Sequence, residues 1–300
     1  MRILLSGGSG FIGRNLLDYL EKNNKDNKIL VIGRNLENIS NKLISYIKLD
    51  LNEVENNFNK LKKFNPDIFL HLAWQGLPDY SEEISKKNYI NTLKIMNLII
   101  NETSCFKIIS TGSCWEYSDG NFIGKCKEDI ITSPSKPFSK YKNKIFSEVS
   151  KIAAKKNIIF NWLRLFYVYG PRQKKDSIIP MLIDTIKNNK KIDIHFPSNE
   201  NDFIYIDDVV KVIMNFLNKN NSSGIYNVGT GKATAIYKLL QIIDFEINNN
   251  FSKSKKYLDQ IDINKSNQNF YACTKKIKYH FNNINFIGIK QGIQKILRNS

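Results

Sequence analysis

Histidine and cysteine are scarce in this chain: three of the first and four of the second among 300 residues. Cys105, Cys114, Cys126 and Cys273 make no CxxC pair, and no histidine lies near them at metal-ligand spacing. Neither a metal site nor a disulfide framework is predicted. Long apolar runs are also missing. No stretch of about eighteen apolar residues occurs, so no membrane-spanning helix is expected. Ser6 and the glycines after it break the first apolar run too early for a secretory leader, and the chain is expected to be cytoplasmic. Acidic residues are few, 28 against 45 Lys and Arg, for a formal charge of +17. Such an excess admits nucleic acid, an acidic membrane or anionic small molecules. The positive residues are scattered among Asn and Ile rather than gathered, so no nucleic-acid and no membrane partner is expected. What the charge favours is a phosphorylated ligand.

What is present begins with a 42% hydrophobic content, enough for one large α/β core or a core with a smaller cap. Met1 to Leu5 read as a buried strand, and Phe11, Ile12, Leu16, Leu17 and Leu20 repeat at helical spacing. Between them lies Ser6-Gly7-Gly8-Ser9-Gly10, with Gly13 inside the helix. Glycines at 7, 10 and 13 allow a sharp turn, close approach of a pyrophosphate and tight helix packing, and the helix N-terminus offers unpaired N–H groups to the anion. A dinucleotide site is predicted here. Lys28 to Ile32 form a second strand that ends at Gly33-Arg34-Asn35. An arginine there pairs with a 2′-phosphate where a carboxylate would take a ribose hydroxyl, so Arg34 favours NADP over NAD. A third strand, Tyr46 to Leu49, ends on Asp50-Leu51, where the carboxylate has two readings: acceptor for the adenine amino group and helix N-cap.

The alternation continues with a buried strand at Asp67 to Ala73, a long helix from Glu82 to Asn101 and a strand from Phe106 to Ser110. Its exit, Ser110-Thr111-Gly112-Ser113, is rich in hydroxyls, and ligands bind outside such strand ends. A helix opened by Pro134 and Pro137 runs to about Lys156 with Tyr141, Lys142 and Lys144 in its first turns. A neighbouring ammonium lowers a phenol's pKa from its usual ~10 and prepares it for proton transfer. The competing reading is a basic, solvated helix face carrying a packed aromatic. Further on come a strand from Ile158 to Leu165, a helix from Ile179 to Lys187, a short strand from Ile192 to His195, a loop-rich stretch from Asn248 to Asn269 and a closing helix from Ile289 to Leu297.

Several ordered segments resemble the extended short-chain dehydrogenase/reductases, the NAD(P)-dependent nucleotide-sugar epimerase, dehydratase and reductase family. They are Gly7-Gly8-Ser9-Gly10-Phe11-Ile12-Gly13, His71-Leu72-Ala73, Leu163 to Pro171, Asp202 to Val209 and Tyr226 to Gly231. The resemblance implies a Rossmann-type doubly wound parallel sheet with helices on both faces and a smaller C-terminal α+β substrate-binding region. Residues 1–170 would bind the dinucleotide, with 203–230 returning to that domain, while 171–202 and 231–300 would bind substrate. Phe11, Ile12, Leu51, Leu72 and Ala73 would join the glycines, Arg34 and Asp50 around the cofactor. Thr111 or Ser113 would hold the sugar oxygen, and Arg172 is a candidate contact for a diphosphate. In the family a YxxxK pair supplies the acid/base and a lysine that also holds the nicotinamide ribose. Here Tyr141 is followed four residues on by Ile145, so Lys144 or Lys142 must substitute; in a second register the lysine is Lys142 and the tyrosine has become Phe138. No Asp-Glu pair follows Thr111, which disfavours dehydration. Implied functions are NADPH-dependent reduction of a nucleotide-linked 4-keto-6-deoxysugar for surface polysaccharide synthesis, 4-epimerisation with retained NAD, or a non-catalytic dinucleotide binder with a degraded Tyr/Lys site. A homodimer is implied as well.

Overall fold

The computed structural model describes residues 1–34, 42–191, 194–219, 222–266, 268–281 and 284–298. Asn35 and the start of the expected strand at Ile192 lie outside them. In chain order the elements are β1 (Arg2–Ser6), α1 (Phe11–Asn23), β2 (Lys28–Gly33), β3 (Ile44–Lys48), α2 (Phe58–Phe64), β4 (Ile68–His71), α3 (Glu82–Glu102), β5 (Lys107–Ser113), β6 (Ile123–Cys126), α4 (Pro137–Lys155), β7 (Ile159–Leu165) and β8 (Tyr167–Tyr169). Then follow α5 (Ile178–Asn188), β9 (Glu200–Asn201), β10 (Phe203–Tyr205), α6 (Ile206–Asn218), β11 (Gly224–Val228), β12 (Thr234–Ala235), α7 (Ile236–Asn248), α8 (Ser252–Leu258), β13 (Asn269–Ala272), α9 (Lys275–His280) and α10 (Ile289–Arg298).

One sheet holds seven strands in the order β3-β2-β1-β4-β5-β7-β11. The order reverses between β1 and β4, the Rossmann pattern, and the carboxyl ends of the strands at that reversal are where ligands bind. β1 pairs in parallel with both β2 and β4, Leu5 opposite Val31 on one side and Leu70 on the other. All four residues of β4 are buried, as a strand covered on both faces requires. Leu4, Leu30, Phe69, Ile95, Ile99, Ile108, Val149 and Trp162 belong to one continuous core.

The chain divides into two compact units. The first comprises Met1–Asp119, Ile131–Arg164 and Val210–Tyr226, the second Gly120–Ile130, Leu165–Val209 and Asn227–Ser300. Against the sequence-based division, residues 120–130, 165–170, 203–209 and 227–230 go to the second unit. The reason for the first is strand pairing: β6 pairs in parallel with β13, Ile123 opposite Asn269, in the four-stranded sheet β12-β9-β13-β6. In the second unit Asp202 is the hub. Its buried carboxylate accepts from the backbone N–H groups of Thr230 (2.8 Å), Gly231 (2.8 Å) and Ala272 (3.1 Å), and from the Thr230 hydroxyl. Burial still holds its pKa above the usual carboxylate range. The stretch expected to be loop-rich contains α8, secured where the Ser254 N–H donates to the buried Asp244 carboxylate at 2.7 Å.

Candidate active site

The glycine turn is built as backbone geometry demands. Gly7 has φ +84°, and a Cβ on it would meet the Ala73 N and Leu72 C atoms at 2.7 Å. The turn is therefore seated on the exit of β4, which explains why Leu72 and Ala73 accompany it. At Gly13 a Cβ would come within 2.1 Å of the Gly7 carbonyl oxygen, so α1 can approach the turn only without a side chain there. No side chain caps α1 at Gly10, and its first N–H groups have no partner within the helix. That uncapped N-terminus beside a cradle a Cβ would fill suits a pyrophosphate.

Arg34 is exposed at the end of β2. Asp50 caps the short helical turn Leu51–Glu53, its Oδ1 accepting from the Asn52 N–H at 2.9 Å and the Gln75 amide at 3.3 Å. Burial raises its pKa, but these donors and the Arg34 charge outweigh it and hold the carboxyl below the usual range. Leu51 is buried under this turn. Beneath the sheet ends His71 is fully enclosed: the Ser6 hydroxyl lies 2.7 Å from Nδ1 and the Thr92 hydroxyl 3.2 Å from Nε2. Burial, and then the charge of Lys142, push its pKa down to about 3, so it is a neutral core histidine.

At the exit of β5 the two registers of the Tyr/Lys motif separate in space. Lys142 is buried, donates to the Thr111 carbonyl at 2.7 Å and places its ammonium 4.3 Å from the centre of the Trp74 ring and 6.0 Å from that of Phe138. Thr111, Ser113, Lys142 and Phe138 are thus brought together. Tyr141 and Lys144 belong to another face of α4. The Tyr141 hydroxyl donates to Glu82, its ring packs on Tyr89 with centroids 5.3 Å apart, and exposed Lys144 lies 5.3 Å from the centre of the Tyr141 ring. The expectation that a neighbouring ammonium would lower the Tyr141 pKa is reversed: the hydrogen bond to Glu82, then burial, raise it. Tyr141 and Lys144 take part in an α3–α4 contact and do not reach the strand exit. Arg172 sits in the second unit on the turn after β8, exposed and with φ +68°.

Two features went unread in the sequence. The first is an aromatic box: Phe138 meets Trp74 at 5.1 Å and Tyr80 at 5.2 Å, both edge-on, and Trp115 at 6.0 Å between centroids. Trp74 and Trp115 follow the ends of β4 and β5, a placement that would have flagged them. The second is Glu116, buried with Arg164. Its carboxylate accepts from the Ser113 N–H at 2.8 Å, the Trp162 indole at 3.1 Å and Arg164 Nε at 2.9 Å. α4 itself is held from outside. Asp119 accepts from the Ser135 N–H (2.9 Å), the Lys136 N–H (3.1 Å) and the Ser139 hydroxyl, while the N-cap residue Lys136 makes no side-chain cap.

Two buried lysines, Lys142 at the site and Lys107 at the other end of β5, give the fold a pH signature. Burial pushes the Lys142 pKa down to about 8, with Glu116 pulling the other way, and burial alone does the same to Lys107, which donates to the carbonyls of Phe216 and Lys219. Between the folded value near 8 and the unfolded value near ~10.5, the unfolded chain binds more protons, so stability rises with pH across that window and is flat below it. The urea midpoint is expected to be higher at about pH 10 than at about pH 8, and Lys142→Met is expected to remove about half of the rise, Lys107 supplying the rest. A wild-type midpoint that falls over this interval would contradict the assignment.

Among the described residues no helix is long and apolar enough to cross a membrane, and no three His, Cys, Asp or Glu side chains are grouped to hold a metal. Residues 3–229 match the model of the NAD dependent epimerase/dehydratase family. The chain belongs to that family. Family membership makes it an NAD(P)-dependent enzyme. A dTDP-D-glucose 4,6-dehydratase of Dictyostelium discoideum is 30% identical over 274 residues, which is 83% of this chain and 59% of that one, so the chain spans less than two thirds of that relative's length. CDP-abequose synthase of Salmonella muenchen is 32% identical over 257 residues, 82% of this chain and 80% of the relative. Among solved structures, dTDP-glucose 4,6-dehydratase from Bacillus anthracis in complex with NAD superposes with a TM-score of 0.83 at 20% identity, covering 99% of this chain and 96% of that one. The fold is thus the family's, and in this chain an aromatic lining stands at the end of β5.

Proposed function

We propose that this family member reduces the carbonyl of a nucleotide-linked 4-keto-6-deoxysugar with NADPH. The observation that carries this reading is the state of the acids at the β5 exit. Dehydration needs a further base and acid at the sugar besides the group that handles the carbonyl oxygen, whereas carbonyl reduction needs one proton donor beside the hydride source. Glu116, the carboxylate nearest Ser113 in sequence, already accepts from Ser113, Trp162 and Arg164 and has 0% exposure, and Cys114 is buried at 3%. Neither is placed to serve a sugar.

In this reading the uncapped end of α1 and the Gly7, Gly10 and Gly13 cradle hold the pyrophosphate, with Phe11, Ile12, Leu72 and Ala73 around it. Asp50 and Leu51 border the adenosine end, and Arg34 takes the 2′-phosphate. NADPH supplies the hydride. Ser113, with Thr111 beside it, would hold the sugar carbonyl oxygen, and Lys142, bonded to the Thr111 carbonyl, would keep a positive charge under the site and offer its remaining N–H groups to the nicotinamide ribose. Arg172 is the proposed contact for the substrate diphosphate, and a cytoplasmic homodimer is the proposed working form.

The test is NADPH oxidation with CDP- and dTDP-linked 4-keto-6-deoxysugars. Turnover with NADPH supports the proposal; a protein that purifies with tightly held NAD and interconverts 4-epimers without net oxidation sinks it. Arg34→Asp is expected to raise the Kd for NADPH about tenfold or more and to tighten NADH, measured by nucleotide fluorescence. Equal affinity for both nucleotides before and after the change would remove Arg34 from the cofactor site.

A further inference from the structure

We propose that Tyr80, on the loop between β4 and α3, donates the proton to the substrate oxygen. The proposal rests on the reductase reading above. Position 138 lies one turn before Lys142 and faces the strand exit, but a phenylalanine ring has no proton to give. Tyr80 packs edge-on against that ring with centroids 5.2 Å apart. Its other neighbour is Trp115, at 5.2 Å, two residues after Ser113. The Tyr80 ring thus packs against two rings that stand at the same strand exit.

Two further tyrosines lie in other surroundings. Tyr117 is 1% exposed with its ring 4.6 Å from the Arg164 guanidinium, and the Tyr141 hydroxyl is bonded to Glu82. Tyr80 is 41% exposed, so the residue stands at the surface of the site, where ligand and solvent meet. The Lys142 ammonium, 6.0 Å from the centre of the Phe138 ring, adds a positive charge to the same strand exit.

The step balances as follows. The carbonyl carbon gains a hydride from NADPH and forms a C–H bond, the C=O π pair passes to oxygen, and that oxygen takes the proton of the Tyr80 O–H. The sugar is reduced to the alcohol, the nicotinamide is oxidised, and the phenolate recovers a proton from water. Ser113 orients the oxygen but need not donate.

Steady-state kinetics with NADPH and a nucleotide 4-keto-6-deoxysugar, joined to fluorescence titration of NADPH without substrate, test the assignment on wild type, Tyr80→Phe, Tyr141→Phe and the double variant Tyr80→Phe with Phe138→Tyr. The expected result is a kcat about 10²- to 10⁴-fold lower for Tyr80→Phe with KM and NADPH affinity unchanged, wild-type turnover for Tyr141→Phe, and recovery of kcat in the double variant. A Tyr80→Phe enzyme at wild-type kcat, a loss confined to KM or to NADPH binding, or a loss that Phe138→Tyr leaves unrelieved overturns the role of Tyr80. Wild type that fails to reduce any 4-keto sugar overturns the reductase reading instead, which keeps the two failures apart.

Discussion

Glu116→Ala is expected to cost the fold about 3–5 kcal/mol. The loss follows from what the carboxylate leaves behind. Arg164 is 2% exposed in its side chain and is paired with Glu116 at 2.9 Å, so truncation strands a guanidinium in the core. The same change unpairs the Trp162 indole and the Ser113 N–H. Space cannot be recovered by collapse from the Gly112 side alone, because a Cβ there would already lie 2.3 Å from the Trp162 indole nitrogen. Replacing both charges, Glu116→Leu with Arg164→Met, is expected to cost less than either single change, since an apolar pair needs no compensation. Urea unfolding followed by circular dichroism measures all three proteins. A Glu116→Ala loss below about 1 kcal/mol would show that the pair is not the buried network described.

Gly13→Ala is the second large effect, and it falls on the cofactor. The added carbon would meet the Gly7 carbonyl oxygen at 2.1 Å and Gly8 Cα at 2.7 Å, both backbone atoms that cannot swing aside. Overpacking of this kind costs about 1–3 kcal/mol, which as lost affinity is roughly tenfold to a hundredfold in Kd for NADPH. Gly10→Ala is the comparison for packing alone, read by urea unfolding rather than by affinity, because Gly10 belongs to the same cradle. Its Cβ would find only the Gly7 oxygen, at 3.3 Å, and the neighbour need give by only a few tenths of an ångström. Equal NADPH affinity in Gly13→Ala and wild type would mean that the turn adapts and that packing of α1 does not position the pyrophosphate.

The large sheet was legible because its strands are apolar runs punctuated by glycine or polar exits, and each signal is local. β1, β4 and β7 stand within a residue or two of where periodicity placed them. The small sheet was not legible. β6 and β13 are four residues each, mix lysine, glycine and asparagine, and exist through pairing with each other rather than through any pattern of their own. The same distinction explains the site. The glycine turn could be read because its chemistry lies in the backbone of seven consecutive residues. Which tyrosine faces the strand exit depends on the rotation of α4, and one residue of register turns a side chain by about 100°. Tyr141 and Lys142 are neighbours in sequence and serve different faces. Trp74, Tyr80 and Trp115 come from two separate strand ends and the loop beyond one of them, a convergence with no linear signature.

The grip of Asp119 on α4 has a consequence for how this site varies. The helix carrying Phe138 and Lys142 begins with no cap of its own, and its approach is set by a carboxylate on the left-handed turn that follows β5. Asp119 therefore fastens the strand exit to the start of the helix, alongside the bond from Lys142 to the Thr111 carbonyl. Exchange of the helix alone with a relative's would deliver the right side chains at the wrong height, whereas exchange of residues 113–142 together would carry the fastening with it.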